Sequence, residues 1–283
     1  MAADKPLTLR RQKGRSTTRA RQSSESFQVD VLVDTGVFHL EQPFSYFLPE
    51  ELEGLIGAGS LIRVPFKNDL KDGVVLSIKE KSQASLKPVH SLLTQVRLSQ
   101  SFLEFTKKVS ERYIANQASI LSACLPSFTK VMNTSLDAST LHRSKSSKPA
   151  RKLFLLNRLE AVESRVVRHI KERKGLNLLV ILPTQREIEG VIKALGVIDQ
   201  QIIEIGSHLT SSQRRRNFEL AATATSIIVI GTRSAIMAPM AYIDEILIAE
   251  ESVEHFQEQK APYWNVRDMA LLRSESEHCS ITF

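Results

Sequence analysis

Residues 246–255 read ILIAEESVEH. Four apolar residues run without a break into Glu250 and Glu251, the pattern of a buried strand that ends in carboxylates. Phosphate-hydrolysing α/β domains end the strand that faces their magnesium in this way. Here Ala249 stands where the metal-directed acid is expected. The stretch therefore predicts a central parallel strand whose tip has lost its first ligand.

Working outward, the same texture recurs. LLVILP (178–183), QIIEI (201–205), SIIVIG (226–231) and EILIAE (245–250) are apolar runs, and SITF (280–283) begins another. Amphipathic segments separate them: 155–173, a helix capped by Thr184 and running to about 195, SSQRRRNFELA (211–221), and 264–273. Continuous apolar strands alternating with helices imply a parallel sheet covered on both faces.

The N-terminal half has a different period. VDVLVD (29–34), FSYFLP (44–49), SLIRVPF (60–66) and DGVVLSI (72–78) are four short strands divided by Gly, Pro and Asp turns. Phe102, Phe105, Val109 and Tyr113 then recur at helical spacing behind Ser99, so one helix over 99–116 is expected to close this domain. The layout reads as a basic, disordered tail (1–26), a β domain with its closing helix (27–130), a polar linker (131–150) and one α/β lobe (151–283). The fold class is α/β.

With 283 residues and 42% hydrophobic content the chain has material for two cores. It has no apolar run of membrane-spanning length and no apolar segment behind the basic N-terminus, which predicts a cytoplasmic protein with no membrane partner. Cys124 and Cys279 belong to no CxxC pair and are expected as free thiols without zinc. The net charge of +7 is unevenly placed. Residues 1–28 hold seven basic against two acidic side chains, and 130–152 hold six against one. The remainder is slightly acidic. Two basic arms that look unfolded suit either a phosphate backbone or simple solubility.

A nucleotide site needs a Gly-rich loop ending in Gly-Lys-Ser/Thr. None occurs; Glu160-Ala161 stands where that loop should open its helix. A carboxylate there repels phosphate, by about 1 kcal/mol at ~4 Å in water and several in a drier setting. Glu160, Ala249, Glu250 and Glu251 thus read as a degenerate nucleotide and magnesium site.

IIVIGTRSAIMAP (227–239) followed by DEILIAEESVEHFQEQKAPYWNVRDMALLRS (244–274) resembles the first motor lobe of the primosomal protein N-prime family, the PriA-type replication-restart helicases. HLTSSQRRRNF (208–218) is similar to that family's Leu-Ser-x-x-x-Arg stretch. In the N-terminal half, Phe44–Pro49, Gly59–Phe66, LKPVHSLL (86–93) and RYIANQASILSACLP (112–126) resemble its domain that captures the 3′ end of a nascent strand. The resemblance implies a small N-terminal β-rich DNA-binding domain and a single degenerate RecA-like lobe.

It also implies roles. The end-capturing pocket carries over to Phe44, Ser45, Lys67 and Lys87, with Ser45 departing from an acid and Lys67 from a glycine. The strand tip departs from Asp-Glu-Glu-His at Ala249 and Ser252. The family's aromatic-rich loop corresponds to Phe256–Asn265, giving Phe256, Tyr263, Trp264 and Arg267, which either meet DNA or pack the lobe's edge. Arg233 in GTRSA corresponds to a strand-contacting position or to an internal pair. The family's winged helix, zinc cysteines and second lobe have no counterpart here, so ATP, Mg and Zn are expected of the family but not of these residues. The function implied is recognition of branched or single-stranded DNA at stalled forks and help in primosome assembly without helicase activity, in a bacterial, nucleoid-associated setting. Primosome and single-strand-binding proteins are the implied partners, and the oligomeric state is open. The alternatives are an ATP-dependent 3′-to-5′ helicase of that family, or an RNA- or protein-interaction remnant.

Overall fold

A computed structural model describes residues 27–37, 42–80, 85–128, 150–154 and 160–283. The basic tail and nearly all of the linker lie outside these residues.

The N-terminal sheet is antiparallel and holds five strands, not four. They are β1 (Gln28–Val33), β2 (Phe44–Phe47), β3 (Ser60–Phe66), β4 (Asp69–Lys79) and β5 (Ser91–Arg97), in the order β2-β1-β4-β3-β5. Alternation divides β1 between two cores. Val29, Val31 and Val33 join Tyr46, Ile62, Val64 and Val75 on one face, while Leu32 joins Leu61, Val74 and Leu93 on the other. The stretch leading into β5 bonds back to β2, with Phe47 N–H on the Lys87 carbonyl and Val89 N–H on the Phe47 carbonyl, both at 2.9 Å. The two edges of the sheet are thereby joined, which removes exposed pairing groups.

Two helices cover the second face, where one was expected. Helix α1 (Gln100–Tyr113) is capped by Ser99, whose hydroxyl accepts from Phe102 N–H. It ends because Ile114 turns left-handed, and α2 (Gln117–Cys124) restarts behind an Asn116 cap. Cys124 is half-buried, and burial pushes its thiol up to about 12; Cys279 is buried, and neither is part of a disulfide.

The second sheet is parallel and six-stranded: β6 (Arg151–Lys152), β7 (Leu178–Ile181), β8 (Gln201–Ile205), β9 (Ile227–Gly231), β10 (Glu245–Ile248) and β11 (Ser280–Thr282), ordered β6-β11-β10-β7-β9-β8. β6 falls in a segment read as basic and unfolded. Ala150 also belongs to the sheet edge, since its carbonyl accepts from Ile281 N–H at 2.8 Å. Successive residues of each strand alternate between faces. Leu178, Val180, Leu247 and Ala249 meet α3 (Val162–Glu172) and α4 (Gln185–Leu195). Leu179, Ile181, Ile246 and Ile248 meet α5 (Ser211–Thr223) and α6 (Val266–Glu277). The α/β, doubly covered lobe is thus as expected. Helix α3 begins at Val162, later than the expected 155, and residues 155–159 lie outside the described set.

The core on the α5/α6 side does not stop at the lobe. It continues into Phe102, Phe105, Val109, Leu121 and the sheet beneath them. Helix α1 packs along α6, Phe128 meets Phe218 edge-to-face at 5.9 Å, and Lys108 pairs with Glu275 at 3.3 Å. At the centre of this seam Arg273 of α6 is fully buried under the rings of Phe102 and Phe105, 5.3 and 5.4 Å from their centroids.

Candidate nucleic-acid interface

β2 places its side chains on two faces, and this separates the residues expected to form one pocket. Tyr46 points into the core, and Phe44, on the same face, packs edge-to-face on Phe66 at 5.1 Å. Lys67 follows Phe66 in the two-residue turn between β3 and β4, and its Nζ lies 5.8 Å from the Phe66 centroid. Phe44, Phe66 and Lys67 therefore form one exposed-edged cluster. Lys87 is exposed beside Phe47, about 10 Å along β2 from Phe44 at ~3.3 Å per residue.

Ser45 faces the other way. Its hydroxyl donates to Asp30 Oδ1 at 2.8 Å and accepts from Gln28 Nε2 at 2.9 Å. Asp30 is its cross-strand partner in β1 and also receives Ser77 at 3.2 Å and Lys79 at 2.6 Å. Burial acts to raise the Asp30 carboxyl, but Lys79, Ser45, Gln28 and Ser77 together hold it below its usual value. The acid absent at position 45 is thus present next door, spent on neighbours. It took the strand pairing to find it: Asp30 lies between Ser45 of β2 and Ser77 of β4.

Lys67 has φ 54, the left-handed region where a glycine is at ease. Replacing Lys67 with Gly should stabilise the fold by about 0.5–1 kcal/mol by removing that strain. If the ammonium meets phosphate, the same change weakens DNA binding and lowers the salt slope by about 1. Calorimetry alongside salt-dependent binding tests both; a loss of stability would show that its contact with Phe66 outweighs the strain.

The strand tip of β10 is closed rather than poised. Ala249 N–H continues the ladder to the Ile181 carbonyl at 3.1 Å, and its methyl is buried in the α3/α4 core. Glu250 turns left-handed at φ 55. Burial pushes its carboxyl up, and the neighbouring Glu187 pushes it further. Glu187 is already engaged in the capping box of α4 with Thr184. Glu251 follows in the turn. At the start of α3, Ala161 offers no side-chain cap, Glu160 is paired with Arg168, and Glu163 occupies the first turn. Carboxylates at a helix start and a methyl at the strand tip do not fit a nucleotide phosphate with its magnesium. Among the described residues no group of three or more metal-ligating side chains exists.

The loop that follows is built around Arg233, at the start of the 3-10 turn after β9. Gly231 before it admits no Cβ, which would meet the Ile205 carbonyl and the Ala235 methyl. Arg233 donates to the Gln257 carbonyl at 2.6 Å and to that of His255 at 3.4 Å, and pairs with Glu258 at 3.2 Å. Of the two roles expected for Arg233, the internal pair is the one seen. Glu258 N–H bonds the Trp264 carbonyl at 2.8 Å, so the loop returns on itself.

Its aromatics are then sorted by burial. Phe256 is fully buried in the core and closed to any base. Trp264 is half-buried against the same core, and it precedes α6 rather than opening it, since Asn265 is the cap. Tyr263 is 62% exposed, and the Arg267 side chain is 55% exposed, 4.0 Å from Asp268. Of the four residues expected to meet DNA in this loop, Tyr263 and Arg267 are the ones that face outward.

Residues 30–126 match the family model for the PriA 3′ DNA-binding domain. The probable replication restart protein PriA of Mycobacterium tuberculosis (strain ATCC 25618 / H37Rv) is 22% identical over 277 aligned positions, covering 86% of this chain and 41% of its own. The replication restart protein PriA of Rickettsia conorii is 24% identical over 267 positions, covering 84% and 40%. That of Bacillus subtilis is 30% identical over 106 positions, covering 36% and 13%. The chain spans about two fifths of the length of the first two.

Proposed function

The chain is a PriA-type protein, and on that premise we propose that it binds branched DNA at replication forks, engaging a strand end through its 3′ DNA-binding domain, without hydrolysing ATP itself. The observation that carries this reading is the matched domain at 30–126, whose exposed edge presents Phe44, Phe66, Lys67 and Lys87. A half-exposed aromatic wall with flanking lysines offers a stacking face and two phosphate contacts. Ser45 supports binding indirectly, by fixing β2 against Asp30. The acidic start of α3 and the buried Ala249 support the absence of ATP turnover. Tyr263 and Arg267 are a second contact, on the lobe. Assembly with primosome and single-strand-binding proteins is part of the same proposal, by analogy with the replication restart role named for its relatives.

The test is binding to a fork with and without a free 3′-hydroxyl, run beside an ATPase assay. The expected result is tighter binding to the fork with the free end, a loss of that preference in Lys87→Ala, and no turnover above background. Equal affinity for both forks removes end recognition. Turnover abolished by Glu250→Gln would instead establish an enzyme.

A further inference from the structure

Two residues combine exposure, an apolar side chain and a left-handed backbone, and they stand on opposite sides of the seam between the sheets. Ile114 ends α1 at φ 51 and is 80% exposed. Tyr263 lies in the loop before α6 at φ 54 and is 62% exposed. Left-handed helix ends are ordinarily filled by Gly or Asn, and a β-branched residue there is a genuine outlier. Capping α1 does not call for isoleucine, and a side chain so exposed adds nothing to the core.

The anchors beside these residues are buried together. Tyr113 and Ala115 on either side of Ile114, and Trp264 beside Tyr263, all pack on the one core that joins the sheets. Tyr113 lies against Asn265 and senses Asp268, so the end of α1 and the start of α6 are neighbours. Arg112, exposed at the end of α1, and Arg267, exposed at the start of α6, border the pair.

We infer that Ile114 and Tyr263 form a wedge that enters the base stack where duplex gives way to single strand. The inference rests on the fork-binding reading above. Apolar side chains inserted between base steps unstack them, and an aromatic face holds an unpaired base. The bordering arginines fit the phosphates on either side of such a step. Their flanking residues share one core, so both tips are carried on the same packed body.

The test uses the full chain and a fork carrying 2-aminopurine at the first duplex position, with a blunt duplex of equal length as control. Wild-type binding raises the 2-aminopurine fluorescence and favours the fork. Ile114→Gly relieves the backbone, so its Tm rises by about 2–4 °C. It nevertheless loses most of the fluorescence change and about 5- to 10-fold in fork affinity. Tyr263→Asn, which also tolerates the left-handed backbone, loses the signal likewise. Tight fork binding by the wild type with silent 2-aminopurine overturns the wedge and leaves fork binding standing. So does an Ile114→Gly variant that is more stable and opens the junction as well as the wild type. A chain that binds neither DNA overturns the fork-binding reading, and the wedge falls with it.

Discussion

Replacing Arg273 with Met should destabilise the protein by about 3–5 kcal/mol, the cost of breaking a buried ion pair by removing one partner. Arg273 has no exposed surface. Its Nε bonds Glu277 at 2.9 Å, Nη1 bonds the Ile236 carbonyl, and Nη2 bonds the Ala238 carbonyl at 2.7 Å. Its plane lies against Phe102 and Phe105 of the other sheet's helix. The substitution leaves a buried carboxylate and two carbonyls without a donor, and only the apolar contact with the rings survives. Natural domains have about 5–15 kcal/mol in all, so Tm should fall on the order of 10 °C. The single tryptophan, Trp264, sits in the shared core and reports this directly. In the wild type its fluorescence and the far-UV dichroism should change together during urea unfolding. In the variant the two transitions should separate as the sheets part company. Coincident transitions within 1 kcal/mol of wild type would mean that the seam is held by apolar packing alone. Arg273→Lys should recover little, because one ammonium does not reproduce the planar fork.

That a buried arginine joins the two halves was not legible in RDMALLRS, although the helix was. Apolar runs such as LLVILP and SIIVIG announce central strands because both their faces are buried, and local composition carries that fact. SLLTQVR and the two-residue β6, Arg-Lys, carry no such mark: Ser91, Thr94 and Gln95 break the alternation, and β6 is a strand only because β11 lies beside it. Helix α2 is short and lacks a clear apolar stripe, so it too was hidden.

The candidate interface divides along the same line. Positions follow from motif order, but partners do not. Phe256 and Tyr263 read alike as loop aromatics, yet one is core and the other solvent-facing, a difference set by the return of the chain onto Arg233. Ser45 reads as a lost acid until its cross-strand neighbour is known to be Asp30. A one-dimensional pattern carries burial period; it does not carry which strand lies beside which.

The other large effect belongs to Glu245, which opens β10 and holds α3 to the sheet. One oxygen is 3.1 Å from His169 Nε2 and accepts from the Thr282 hydroxyl; the other accepts from Arg173 Nε at 2.7 Å. Burial acts to raise this carboxyl, but His169, Thr282 and Arg173 outweigh it and bring it down from 4.5 to about 2. A depressed carboxyl stabilises the fold fully above its unfolded value and loses that contribution as pH falls through the folded one. The shift corresponds to about 3 kcal/mol at pH 7, shrinking to about 1 kcal/mol near pH 3 and vanishing below pH 2. Glu245→Gln keeps the shape and removes the charge, so it should cost about that much at pH 7 and progressively less in acid. The measurement is urea unfolding of both proteins across that range. A gap that stays constant with pH would assign the loss to packing. No gap at pH 7 would mean that desolvating the carboxylate and Arg173 cancels their attraction, as happens in other buried pairs. The location makes the distinction informative: the network braces α3, whose start carries Glu160 and Glu163. A brace that still contributes several kcal/mol there would give α3 a structural role that does not depend on any ligand at its start.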